Sequence, residues 1–195
     1  MTARGLAFMG PLVPRVLDGS KTVTRRTSER APAKVGDVLW IREAWRLAHI
    51  YDGRSGLEAI ATTPGIPGVR YEADGGDLLW WGRLRSPRYL PRDLARPWRG
   101  EAVDVRREAL GLLDDEDAIR EGAREWAPDG PDGTPSELAR ALGRSVWSLD
   151  GVTWGASPAG AFLSGWERLH KRWEPDRMVW RVEWRPLAEK AEEGR

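Results

Sequence analysis

Apolar and polar positions alternate most cleanly near the end of the chain, where residues 178–184 predict a closing strand. Residues 101–109 share that period, with Ala102, Asp104 and Arg106 on one face and Val103 and Val105 on the other. Residues 35–43 predict a turn entering a strong strand, Leu39 and Ile41 pointing one way, Val38 and Trp40 the other. Short apolar or β-branched runs at 6–9, 22–24 and 69–73 predict further strands. A helical period runs through 158–173, where Phe162, Trp166, Leu169 and Trp173 recur every three or four residues. Residues 11–18 predict a short helix with Leu12, Val16 and Leu17 on one face and Gly19 as its stop. Residues 114–122 predict another, with acidic residues in the dipole-favoured first turn and Gly122 closing it. Ser136 is expected to cap a helix running through Leu142.

Between these elements, 46–68 and 124–135 carry turn residues without periodicity and are read as loops. Residues 83–98 hold Pro87, Pro91 and Pro97 among arginines and Tyr89, a basic, stiffened surface segment. The order of elements predicts an α+β fold: a mostly antiparallel, curled sheet with helices against it. The expected organisation is a single domain over 1–187, with insertions near 46–68 and 124–157 and a charged tail over 188–195. Doubly wound α/β is disfavoured because strands and long helices do not alternate.

Composition narrows the chemistry. The 195 residues include no cysteine, which removes disulfides, thiolate metal sites and cysteine nucleophiles and suits a reducing compartment. Only His49 and His170 are present, so no metal site is expected. Thirty-one basic against 30 acidic residues exclude a strongly basic coat but not a local basic patch. No apolar run reaches the roughly 20 residues of a membrane span, and the first residues lack a signal-peptide core; the expected location is the cytoplasm. The 12 tryptophans are read mainly as core residues, although aromatics also stack on bases.

The best candidate for chemistry is Lys21-Thr22-Val23-Thr24-Arg25-Arg26. In an extended chain Thr22 and Thr24 share a face that Arg26 continues, and Lys21 sits at the bend. A lysine desolvated near arginines has a lowered pKa, and a hydroxyl beside such a base can become a nucleophile. On residue types alone, a surface β-edge made soluble by Lys and Arg accounts for the stretch more readily. Two carboxylates are weighed in the same way. Glu43 ends the strong strand, and Glu121 sits in the last helical turn, where the dipole disfavours an anion. A solvated carboxylate is the commoner case for each.

The run GPLVPRVLDGSKTVTRR followed by VGDVLWIREAW resembles the opening of phage and bacterial ASCH-domain proteins. YEADG, SPRYLPRDLARPW, GEAVDVRREAL, LLDDEDAIREGA and WEPDRMVWRVEWRPL follow in the order of the phage subgroup, so the likeness covers nearly the whole chain. The resemblance implies a PUA-like β-barrel with flanking helices, a pocket beside the first helix, and partners among modified nucleosides or nucleic acids. One compact bacterial branch of the family hydrolyses N4-acetylcytidine to cytidine and acetate, and no cofactor is expected for this chain. By that resemblance Lys21, Thr24 and Glu121 form the catalytic set, while Thr22, Arg25, Arg26, Arg42, Glu43 and Trp45 belong to substrate or nucleic-acid contact. This chain is longer than those amidohydrolases, and its turn is more basic. The competing expectations are a non-catalytic reader of RNA or modified DNA and a metal-independent ribonuclease. The near-zero net charge favours a small substrate.

Overall fold

The computed structural model describes residues 2–62, 68–129 and 134–187. In chain order the elements are β1 (Ala3–Ala7), α1 (Val13–Leu17), β2 (Val23–Arg26), β3 (Val38–Arg42), β4 (Trp45–Leu47), α2 (Gly56–Thr62) and β5 (Val69–Tyr71). Then follow β6 (Gly100–Ala109), α3 (Asp115–Arg120), β7 (Arg124–Trp126), α4 (Thr134–Leu142), β8 (Val146–Ser148), β9 (Trp154–Gly155), α5 (Pro158–His170) and β10 (Met178–Pro186). They fall into two compact units interleaved in sequence. The first comprises Met1–Pro14, Gly36–Glu101 and Pro186–Arg195; the second comprises Arg15–Val35 and Ala102–Arg185.

In the first unit β1 runs parallel to β3, from Ala3 beside Val38 to Ala7 beside Arg42. β3 pairs antiparallel with the first residues of β6, and β4 pairs antiparallel with β5. Trp40, Trp45, Leu47, Ala59, Leu90 and Leu94 form its core. The expectation that 46–68 is loop fails, because β4 extends to Leu47 and α2 occupies Gly56–Thr62. A capping box starts that helix: the Ser55 hydroxyl accepts from the Glu58 N–H and the Glu58 carboxylate accepts from the Ser55 N–H. Gly56 is required there, since a Cβ would stand 2.7 Å from the Trp45 ring and 2.8 Å from Pro91. Segment 83–98 is stiffened by two 3-10 turns, Pro87–Tyr89 and Arg92–Leu94, and it drops Leu90 and Leu94 into the core.

In the second unit β10 pairs antiparallel with β2, from Trp180 opposite Arg26 to Glu183 opposite Val23, and β6 lies on the other side of β10. β7, β8 and β9 form a separate antiparallel sheet against which α5 packs, and α3 packs on α5. Ser157 caps α5, and Phe162 and Trp166 stack inside it at 5.7 Å. Three expectations are corrected here. α5 ends at His170, with Lys171 in the left-handed conformation, so Trp173 lies beyond it. β7 lies within the stretch read as loop from 124, whose residues 130–133 fall outside the described ones. Ser136 lies inside α4 rather than capping it.

The architecture is α+β with a mostly antiparallel sheet, in which β1 and β3 form a parallel pair. Their strand pairings leave β1 and β2 with one neighbour each and close no barrel, because the expected curl does not join the two edge strands. Among the described residues no helix is long and apolar enough to cross a membrane, and no group of metal-binding side chains converges. The tail beyond 187 lies outside the described residues.

Candidate functional site

The turn after α1 is tied at both ends. The Lys21 N–H donates to Arg15 O (2.8 Å) and the Thr22 N–H to Arg120 O (2.9 Å), which brings the Lys21 bend against the end of α3. Trp184 N–H donates to Thr22 O (3.0 Å), extending the β10 pairing to the start of β2. These backbone bonds place the Lys21 side chain inside the unit, only 1% exposed.

There the ammonium meets three oxygens: Val23 O at 2.6 Å, Glu121 O at 2.6 Å and Glu121 Oε2 at 2.7 Å. The Trp184 ring lies 6.0 Å away, within cation–π range. Glu121 is the C-cap of α3, followed by Gly122 at φ 102°, a backbone conformation open to glycine and costly for other residues. That turn aims both the backbone carbonyl and the carboxylate of Glu121 at one amine. Burial pulls the Lys21 pKa from 10.5 to about 8, against the opposing pull of Glu121.

Arg25 extends the constellation. Its guanidinium donates to Glu108 through Nε (2.9 Å) and Nη2 (2.6 Å), bonds Asp117, and lies 3.5 Å from Glu121 Oε1. Register explains the next partner: Arg25 stands directly opposite Arg181 on β10, and like charges so placed repel. Asp117 relieves this by accepting from both, including Arg181 Nη2 at 3.0 Å. Arg181 also reaches Asp104 (3.1 Å) and Glu183 (2.8 Å). Burial works to raise the Asp117 pKa, but the two guanidiniums outweigh it and hold the carboxyl at about 2. For Arg25 too, burial is the largest influence and works downward, yet Glu121, Asp117 and Glu108 together raise its pKa.

Thr24 is buried in the same strand, opposite Val182, and its hydroxyl makes no hydrogen bond among the described residues. The structure therefore joins Lys21 to Glu121 directly and places Thr24 in the adjoining strand β2 without bonding it to either. Thr22 accepts weakly from Arg120 Nε (3.4 Å). Arg26 is partly buried, and that burial lowers its pKa.

Arg42, Glu43 and Trp45 lie in the first unit, among other partners. Glu43 is held by Arg96 at 2.5 and 3.3 Å, and Arg96 also binds Asp74 (2.6 Å) and lies 4.1 Å from the Tyr71 ring centre. Burial raises the Glu43 pKa despite Arg96. Arg42 donates to Arg88 O. Trp45 is fully buried, with the Arg85 guanidinium 5.3 Å from its ring. Glu121, not Glu43, is the carboxylate beside Lys21.

Arg181, Asp117 and Glu108 escaped the sequence reading. The alternation of β10 and β6 was the available signal for Arg181 and Glu108, but strand register was needed to see them face Arg25. Comparison with known proteins brings no matching family model, no matching curated protein and no matching solved structure.

Proposed function

We propose that the chain is an amidohydrolase acting on N4-acylated cytidine or a similar modified nucleoside, on a PUA-like ASCH scaffold. The observation that carries this reading is the buried contact between Lys21 and Glu121, 2.7 Å long, with Lys21 three residues ahead of Thr24 in the chain. With a pKa near 8, about one Lys21 in ten is a free amine at pH 7, enough to serve as a base. Thr24 Oγ1 attacks the acyl carbon while Lys21 accepts its proton. The tetrahedral intermediate expels the exocyclic nitrogen, which takes that proton from Lys21. Water, oriented by Glu121, then hydrolyses the acyl-threonine to the free acid. Catalytic hydrogen bonds in free enzymes are often long and tighten only around substrate, which accommodates the unbonded Thr24 hydroxyl.

The observation favouring a non-catalytic reader is that two backbone carbonyls share the Lys21 ammonium with Glu121, as in a fixed polar wall. Incubation with N4-acetylcytidine separates the readings. Hydrolysis predicts cytidine and acetate, with kcat/KM rising about tenfold per pH unit up to about pH 8 as the amine is freed. Thr24→Val, which keeps the shape and removes the nucleophile, is expected to abolish turnover while the variant stays folded by circular dichroism. Binding of N4-acetylcytidine without turnover by the wild type would overturn the hydrolase in favour of the reader.

A further inference from the structure

A cleft of about 710 Å³ opens in the first unit, lined by Trp45, residues 53–57, 83–86 and 88–91. Its size falls within the roughly 300–1,000 Å³ of small-molecule sites. Four of its lining residues are arginines, Arg54, Arg83, Arg85 and Arg88, and none is acidic. Other arginines of this chain, such as Arg25, Arg96 and Arg181, are matched with carboxylates. Among the described residues these four form no ion pair. Arg85 is held from behind, donating to Arg54 O (2.6 Å) and Tyr51 O (2.9 Å), so it is fixed in place without being neutralised. Its Nε is buried and has no partner.

Two carboxylates act on these arginines from outside the lining. Asp52 accepts the Arg83 backbone N–H at 2.8 Å, and Glu58 is occupied with the cap of α2. Burial first, and then the neighbouring Arg83, depress the Arg85 pKa, with Asp52 pulling the other way. Beside this charge the cleft presents Tyr89, 68% exposed, together with exposed Leu57 and Leu84. A set of guanidiniums in one cleft calls for phosphate oxygens, and an exposed aromatic face beside it calls for a planar ring.

We propose that this cleft is a binding site for a nucleotide, its phosphate held by Arg83, Arg85 and Arg88 and its base set against Tyr89. The proposal goes beyond the hydrolase reading and does not rest on it, since none of these residues belongs to the Lys21 constellation. The phosphate comes either from a free mononucleotide or from single-stranded nucleic acid.

The test is fluorescence anisotropy of a labelled oligothymidylate against rising salt, with adenosine monophosphate, inorganic pyrophosphate and polyglutamate as competitors. Affinity for the oligonucleotide is expected to fall steeply with salt. Arg83→Ala/Arg88→Ala, both exposed side chains, is expected to weaken binding about tenfold and to flatten the salt slope by about 1 to 2. Tyr89→Ala is expected to weaken base-bearing ligands about fivefold or more and to leave pyrophosphate unchanged. Competition by adenosine monophosphate at the oligonucleotide's own affinity identifies a mononucleotide site; binding of the oligonucleotide alone identifies a single-strand site. No binding at low salt, equal binding by the double variant with its fold intact, or equally tight binding of polyglutamate would each overturn the proposal.

Discussion

Lys21 is an ammonium placed where water cannot reach it, held by three oxygens that include the Glu121 carboxylate. Removing it leaves Glu121 Oε2 and two carbonyls without their ammonium, while Arg25 stays 3.5 Å from Glu121 Oε1. Lys21→Ala is expected to cost about 3–5 kcal/mol in urea unfolding, the usual range when one member of a buried pair is lost. Thr24→Val, which removes a hydroxyl bonded to nothing described, is expected to cost less than about 1 kcal/mol. This contrast makes Thr24 the cleaner probe of catalysis. The sign of the pH dependence follows from the lowered pKa. Between about pH 8 and 10.5 the unfolded chain holds a proton on Lys21 that the folded chain has released, so this residue's contribution to stability rises with pH across that window. Asp117 behaves oppositely. Its folded pKa of about 2 lies below the ordinary 3.8, so its contribution is full above about pH 4 and is lost as pH falls toward 2. Comparing wild type with Asp117→Asn over both windows separates the two.

At the scale of elements, α3 does the positioning. It is only six residues long, yet it carries Asp117 to the paired arginines and presents Glu121 at its end. Its start is secured by Asp114, whose carboxylate accepts the Asp117 N–H at 2.8 Å. Asp114→Ala is therefore expected to cost about 1 kcal/mol, read as a lower Tm. The acidic first turn and the closing glycine made this helix legible in the sequence, and the periods of α5, β6 and β10 were equally plain. α2 was missed although its capping box, Ser55 with Glu58, was visible, because threonine, proline and glycine around it suggested a loop. β7, β8 and β9 are too short for a two-residue period to declare itself. The site was legible in part. The oddly placed Glu121 and the lysine–threonine turn stood out as candidates, and the contact between Lys21 and Glu121 joins them. The bridging of Arg25 and Arg181 by Asp117 joins positions far apart in sequence, which only strand register brings together.

For the whole molecule, the second unit is assembled from two separated stretches, Arg15–Val35 and Ala102–Arg185. The piece 102–185 made alone lacks β2 and Lys21, leaving β10 without its partner strand and Glu121 without its cation. It is expected to unfold without cooperativity, and an added peptide of residues 15–35 is expected to restore a sigmoidal transition. The same layout fixes an order of events in the cell. β2 leaves the ribosome early, but its neighbour β10 follows about 150 residues later, an interval of roughly 8–30 s at ordinary translation speeds. Throughout that wait Val23 and the open edge of β2 lack their cover. Nascent-chain chaperones would have the most to shield at this segment, and slowing translation between the two strands would lengthen its exposure.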